Sequence, residues 1–286
     1  MPTINTDRLC AYRERTFRLP PWPRVTSPEE ALAFVNERGF VFFWPIKKIV
    51  LPSLWTAVAG DRPVGDSHDD PGHITWGWKD EALGKRIWYY AKVLRRKSPL
   101  IALDLAPYFY ALSANYGSPE EDHIQAYEEG RLPYAGKQVY EAILREGALN
   151  TLDLRRAARL TSRANETEFQ RALEHLQADF KIMPVGIAHA GGWRYSFIFD
   201  ITAHHLPDLP ARARWIDQDQ AREKLAETYF LSVGAARLGD TSRLLGWSNE
   251  VTRSVLLRLV GRGFLGDGLQ IDEQPGEFWA LMELIE

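Results

Sequence analysis

The sequence predicts a mainly α-helical protein with small β-hairpins, built from tandem winged-helix (helix-turn-helix) units. Three observations carry this. Three amphipathic segments between residues 136 and 180 precede two β-type runs joined by Ala190-Gly191-Gly192. The same order recurs between residues 220 and 286. In both stretches short turns separate the second and third helical segments, and three helices followed by a hairpin is the order of a winged helix.

Composition sets the outer limits. The 286 residues, 45% hydrophobic and 26% charged, suit a folded chain of one large domain or several small ones. Ten Trp, eleven Tyr and thirteen Phe supply buried area for more than one core. The net charge of −3 excludes a uniformly cationic coat, so any nucleic-acid contact must come from local stripes. Cys10 is the single cysteine, which excludes an intramolecular disulfide and a multi-cysteine zinc site and fits a reducing compartment. The N-terminus lacks an apolar run of signal length, and no segment reaches membrane-spanning length. A cytoplasmic location is expected. No motif implies a cofactor or a metal, and no obligate protein partner is evident.

Punctuation divides the chain into 1–26, 27–117, 118–205 and 206–286. Residues 1–26, basic and ending in LPPWPRVT, predict an extended surface segment. Ser27-Pro28-Glu29-Glu30 predicts a capped helix ended by Gly39. Phe40 to Ile46 reads as a buried strand, and 52–60 as a short helix. Residues 80–97 predict a long helix with Leu83, Ile87, Tyr90, Ala91 and Leu94 on one side. Pro99 stops it, 100–103 suit a strand and 107–112 a helical piece. Ser118-Pro119-Glu120-Glu121 opens another helix towards Gly130.

In the first repeat the helices are expected at 136–146, 151–160 and 165–180, with Asn150 or Thr151 as a cap. After the linker HHLPDLPARARW the second repeat follows, at 220–233, 240–245 (capped by Asp240) and 248–262. Its hairpin is expected to turn at Pro275-Gly276.

Such units present a recognition helix to a major groove, so cationic and amide side chains are the candidates. In the first repeat these are Arg163, Asn165 and Arg171, with Gln170 and His175 beside them and Arg155, Arg156 and Arg159 for phosphates. Arg194 near the hairpin suits a minor groove. In the second they are Arg243, Asn249, Arg253 and Arg258, while the acidic hairpin (Asp272, Glu273, Glu277, Glu283) suits a protein surface. Lys79, Lys85, Arg86, Lys92, Arg95, Arg96 and Lys97 interleave with Trp76, Trp78, Trp88, Tyr89 and Tyr90. That pattern fits phosphate binding with base stacking, and equally a core flanked by a solvated face.

No P-loop, dinucleotide fingerprint, HExxH or GxSxG motif is present. The loop Asp66-Ser67-His68-Asp69-Asp70-Pro71-Gly72-His73 has the composition of a solvated turn, and also of a general base or metal ligand set.

The stretches ALAFVNERGFVFFW and GKRIWYYAKVLRRKSPLIALDLAPYFYALS, with the two C-terminal modules, resemble the AlkZ/YcaQ-type DNA glycosylases over most of the chain. That resemblance implies tandem winged helices, a further such unit in 28–115, and double-stranded DNA, alkylated or crosslinked, as partner. It also implies a Gln-x-Gln or Gln-x-Asp motif after the first helix. Gly39-Phe40-Val41-Phe42-Phe43-Trp44 stands there instead, without amide or carboxylate. Gln218-Asp219-Gln220 matches as a string but lies in another unit. Base excision needs a polar group to position water and offset an oxocarbenium-like charge. Asp69, Asp70 and His73 are then the candidates for catalysis, with Trp44 and Trp76 to stack a flipped base. The rival reading is a winged-helix transcriptional regulator without enzymatic activity; a non-DNA scaffold is the third.

Overall fold

The computed structural model describes residues 3–67, 69–113, 115, 118–191, 194–272 and 274–285. His68, Gly192 and Glu273 of the sequence analysis lie outside them. The chain begins β1 (Thr3–Ile4), α1 (Thr6–Phe17), α2 (Pro28–Arg38), β2 (Phe40–Phe42), α3 (Leu54–Ala59), α4 (Ile74–Ala82), β3 (Trp88–Tyr90), β4 (Pro99–Ala102) and α5 (Ala106–Ala111). It continues through α6 (Asp122–Glu128), α7 (Tyr134–Glu146), β5 (Leu149–Asn150), α8 (Thr151–Ala157), α9 (Glu166–Ala178), β6 (Ile182–Ala188), β7 (Ser196–Ile201), α10 (Thr202–His205) and α11 (Asp208–Ala213). Last come α12 (Gln218–Val233), β8 (Ala235–Ala236), α13 (Leu238–Leu245), α14 (Asn249–Gly261), β9 (Leu265–Ile271) and β10 (Gln274–Leu281). Helices dominate and the sheets are small. Among the described residues no helix is long and apolar enough to cross a membrane.

Two compact units, both discontinuous in sequence, cut across the linear segments. One comprises Met1–Trp78, Pro99–Leu105 and Gln218–Glu286; the other Lys79–Ser98 and Ala106–Asp217.

In the second unit α7, β5, α8, α9, β6 and β7 follow one another, and the sheet runs β5-β7-β6. Val139, Ile143, Leu154, Phe169, Leu176 and Phe199, all 4% exposed or less, form its core. Asn150 caps α8, accepting from the amides of Leu152 (3.0 Å) and Asp153 (3.1 Å). In the first unit the order repeats as α12, β8, α13, α14, β9, β10, with sheet order β8-β10-β9. There β1 extends the sheet, running parallel to β9.

Several expectations are corrected. The first 26 residues are not wholly extended. Asn5 accepts from the amides of Asp7 (2.8 Å) and Arg8 (3.3 Å) and starts α1, whose Leu9, Tyr12 and Thr16 are buried. The buried stripe is narrow and includes the polar Thr16, so the basic composition hid the helix.

The long helix at 80–97 does not form. α4 ends at Ala82, Arg86 turns left-handed (φ 53°), and β3 follows. Gly84 weakens helix continuation, and the aromatic run Trp88-Tyr89-Tyr90, 8% exposed or less, suits a strand buried on both faces. Asp240 does not cap α13; Arg237 occupies the cap and Asp240 lies in the first turn. The last hairpin turns between Ile271 and Gln274, which are paired, while Pro275 and Gly276 fall in an irregular stretch of β10. The linker after β7 folds into α10 and α11.

The end of α12 is tied by several side chains of α1. Arg13 donates Nε to Val233 O and Nη2 to Ala235 O, both at 2.9 Å. Tyr12 reaches Leu231 O at 2.9 Å and Thr16 reaches Ser232 O at 2.7 Å. Gly234 adopts φ +75°, and a Cβ there would meet Leu284 at 2.8 Å and Leu9 and Tyr12 at 3.0 Å. Arg13→Ala strands two buried acceptors, which should cost roughly 2–4 kcal/mol in urea unfolding. Arg13→Lys should recover only part, because a single ammonium cannot span both carbonyls with the fork geometry.

Candidate nucleic-acid interface

In the second unit the turn between α8 and α9 is held from inside. Arg155 donates to Leu160 O (2.7 Å) and Ser162 O (2.9 Å) and pairs with Glu166. A residue read as a phosphate contact therefore spends its donors on the turn. Arg163 stands in the 3-10 turn before α9, and Ser162 caps that turn through Ala164 N at 3.3 Å. Arg163 and Arg171 are exposed and Asn165 is half-buried. Phe169, Leu173 and Leu176 face the core, so α9 turns the opposite stripe outward. Arg194, exposed at φ 51°, follows the hairpin bend at Gly191. His175 pairs with Asp179 at 3.1 Å, which raises its pKa above the ordinary value.

The equivalent helix of the first unit is α14. Ser248 caps it through Val251 N at 3.2 Å, leaving Asn249 and Arg253 exposed on its opening turns. Arg243 on α13 is exposed, with Asp240 at 3.9 Å. Arg258 is committed elsewhere, to Glu223 (2.6 Å) and Asp219 (3.1 Å) on α12.

The basic aromatic stretch divides by burial. Lys79 is 1% exposed, bonded to Asp80 and to the Tyr195 hydroxyl at 2.9 Å. Tyr90, Tyr195 and Phe197 surround its ammonium at 5.4, 5.7 and 5.0 Å. Burial lowers its pKa, and Asp80 acts against that. Lys79 is thus a core cation, not part of a wet face. Trp88, Tyr89 and Tyr90 are core as well, Tyr89 stacking on Phe180 at 4.5 Å. Lys85, Arg86, Arg95, Arg96 and Lys97 remain exposed.

In the first unit Phe40, Val41 and Phe42 are at most 1% exposed and Phe43 8%. β2 pairs with β4, Val41 opposite Leu100. The half-buried Trp44 and Trp76 meet at 5.4 Å, with Phe43 at 5.3 and 6.0 Å. Trp44 Nε1 is buried without a hydrogen-bond partner among the described residues.

The nearby loop is knit by Asp70. Its carboxylate takes two bonds from Arg62 (2.7 and 2.6 Å) and one from Gly72 N (2.7 Å), and its pKa falls from 3.8 to about 2, chiefly through Arg62. His73 Nε2 lies 2.8 Å from Gly65 O, and its ring meets Trp55 edge-on at 5.4 Å. Asp69 is exposed, its amide donating to Ser67 Oγ at 3.3 Å. The sequence signal for the Asp70 clamp was its cap position before Pro71, which composition alone concealed. Among the described residues no three His, Cys, Asp or Glu side chains gather for a metal.

A family model described as AlkZ related matches residues 25–246. The chain belongs to the AlkZ-related family. Its fold is similar to that of the Streptomyces sahachiroi DNA glycosylase AlkZ, with a TM-score of 0.59 at 16% identity, over 98% of this chain and 71% of that one. No curated protein matches it in sequence. Within the matched region ALAFVNERGFVFFW falls on α2 and β2, and positions 40–44 carry no amide or carboxylate side chain.

Because the folded carboxyl of Asp70 ionises below its ordinary value, the Arg62 clamp is complete above about pH 4 and is lost as pH falls through about 2. The Gly72 amide resonance should therefore titrate with a midpoint near 2. In Asp70→Asn it should be flat, with faster amide exchange across the loop.

Proposed function

We propose that this protein is a double-stranded DNA-binding member of the AlkZ-related family that recognises alkylated or crosslinked DNA without hydrolysing the glycosidic bond. The observation that carries the binding is the repeated module. In each copy the first two turns of the third helix carry an exposed arginine and amide, Gln170 and Arg171 on α9 and Asn249 and Arg253 on α14, beside the acidic Glu166, Glu168 and Glu250, while the apolar stripe faces the core. We read the modules as winged helices whose third helices enter major grooves. Arg163, Asn165, Arg171, Asn249 and Arg253 then reach bases and phosphates, with Arg194 and Arg243 alongside and Lys85 and Arg86 as further phosphate contacts.

The buried apolar run Phe40–Phe43 supports the absence of hydrolysis. No side chain there can position a water against a developing oxocarbenium charge. Trp44 and Trp76 offer a stacking surface for a displaced base. A second reading, excision driven from the loop, is favoured by the exposure of Asp69, since Asp70 and His73 are engaged within the loop.

Incubation with N7-alkylated duplex, then heat or alkali, decides between them. Binding without strand breaks is the expected result. Breaks that vanish in Asp69→Asn would assign catalysis to the loop. Affinity should fall steeply with salt, and Arg163→Ala and Arg253→Ala should each flatten the log–log slope by about 1. A salt-independent interaction would remove the DNA reading.

A further inference from the structure

We propose that the Arg95–Arg96 turn is a preset probe for a narrow, A·T-rich minor groove; this rests on the DNA reading of α9. Leu94 and Lys97 bond each other's backbone, Leu94 N to Lys97 O at 3.3 Å and Lys97 N to Leu94 O at 2.8 Å. They enclose a two-residue turn in which Arg95 (φ 53°) and Arg96 (φ 58°) are both left-handed. Such primed turns take Asn-Gly, Asp-Gly or Gly-Gly, because a Cβ disfavours that conformation.

Of the other left-handed cations, Lys48 and Arg194 stand singly in loop turns, and three have a local reason. Arg18 and Arg86 terminate helical turns, and Arg159 follows α8. A left-handed residue suits a helix C-terminus, and a positive charge suits its carbonyls. Arg95 and Arg96 end no helix. Two adjacent strained arginines, both exposed, are the kind of feature that persists where the surrounding structure holds it for a use.

The mount is rigid. Ala91 and Leu94 are buried, at 0% and 3% exposure. Lys92 N donates to Gln177 Oε1 at 3.2 Å, and Gln177, itself 3% exposed, returns Nε2 to Leu173 O at 3.0 Å. Lys92 Nζ holds Glu174 at 2.9 Å. Gln177 and Glu174 both belong to α9, so the base of the hairpin is fastened to the helix assigned to a major groove, and only the tip projects. Lys92 engages the Glu174 carboxylate, which also feels the charge of Arg96, and both guanidiniums at the tip stay exposed.

Narrow A·T-rich minor grooves concentrate negative potential and favour arginine, which sheds water more readily than lysine. The guanine 2-amino group obstructs the same groove in G·C pairs. A two-residue tip carrying paired guanidiniums fits the first environment.

The test compares the intact protein with Arg95→Asn/Arg96→Gly, which gives the turn its preferred residues. Each is titrated by fluorescence anisotropy on two lesion-free duplexes of equal length, one with an A-tract and one of G·C pairs. The intact protein should prefer the A-tract about tenfold. The variant should bind both alike and melt at a higher temperature, showing that it folds. Equal binding of both duplexes by the intact protein, or a retained preference in the variant, overturns the proposal. Equal weakening on both duplexes would reduce the tip to a phosphate contact and overturn it too. Failure of the intact protein to bind either duplex would instead sink the DNA reading, and this proposal with it.

Discussion

The last turn of α12 exposes carbonyl oxygens that its own helix cannot satisfy, and much of the first unit is arranged to meet them. Every helix leaves such groups at its end, and buried ones must find donors. Here Leu231, Ser232, Val233 and Ala235 receive them from Tyr12, Thr16 and Arg13, and Arg38 adds a second bond to Leu231 at 3.0 Å. Leu281 N closes on Gly234 O at 2.9 Å, tying β10 to the same point. A single helix end therefore brings the N-terminal helix, α2 and the C-terminal sheet together, although they lie more than two hundred residues apart in places. Gly234 is required because no Cβ fits among Leu9, Tyr12 and Leu284.

That constraint explains what could and could not be read from the sequence. The two repeated modules were legible because period-3.6 stripes such as Phe169, Leu173 and Leu176 and a cap residue such as Asn150 are local signals. α1 was not, because its worth lies in Arg13 and Thr16 meeting carbonyls 216 to 222 residues away. The strand at Trp88–Tyr90 was missed for a related reason. When every residue of a short run is buried, helical and strand spacing cannot be told apart, and the outcome is decided by packing partners such as Phe180. The Pro275-Gly276 pair shows the reverse case, a strong turn signal absorbed by a strand irregularity.

For the candidate site, residue type was a poor guide and burial a good one. Asp70 has the chemistry of a general base, yet three hydrogen bonds make it the lock of its loop. A carboxylate held by a bidentate guanidinium is a weak proton acceptor near neutrality, because removing it from the pair costs the ionic bond. Lys79 has the chemistry of a phosphate contact, yet its ammonium sits in an aromatic cage with Asp80 and Tyr195. Deleting one partner of such a set would leave a buried charge uncompensated.

Arginine accordingly divides its labour by where its donors end. Arg13, Arg155 and Arg258 direct theirs at carbonyls and carboxylates of their own unit. Arg95, Arg96, Arg163, Arg171 and Arg253 present theirs to solvent. The net charge of −3 records the sum and says nothing of this partition. What a polyanion senses within a Debye length of about 8 Å at physiological salt is the local set. A chain that is acidic overall can present exposed arginines because other arginines take up part of its carboxylate charge, as Arg258 and Arg262 do with Glu223 and Arg155 with Glu166.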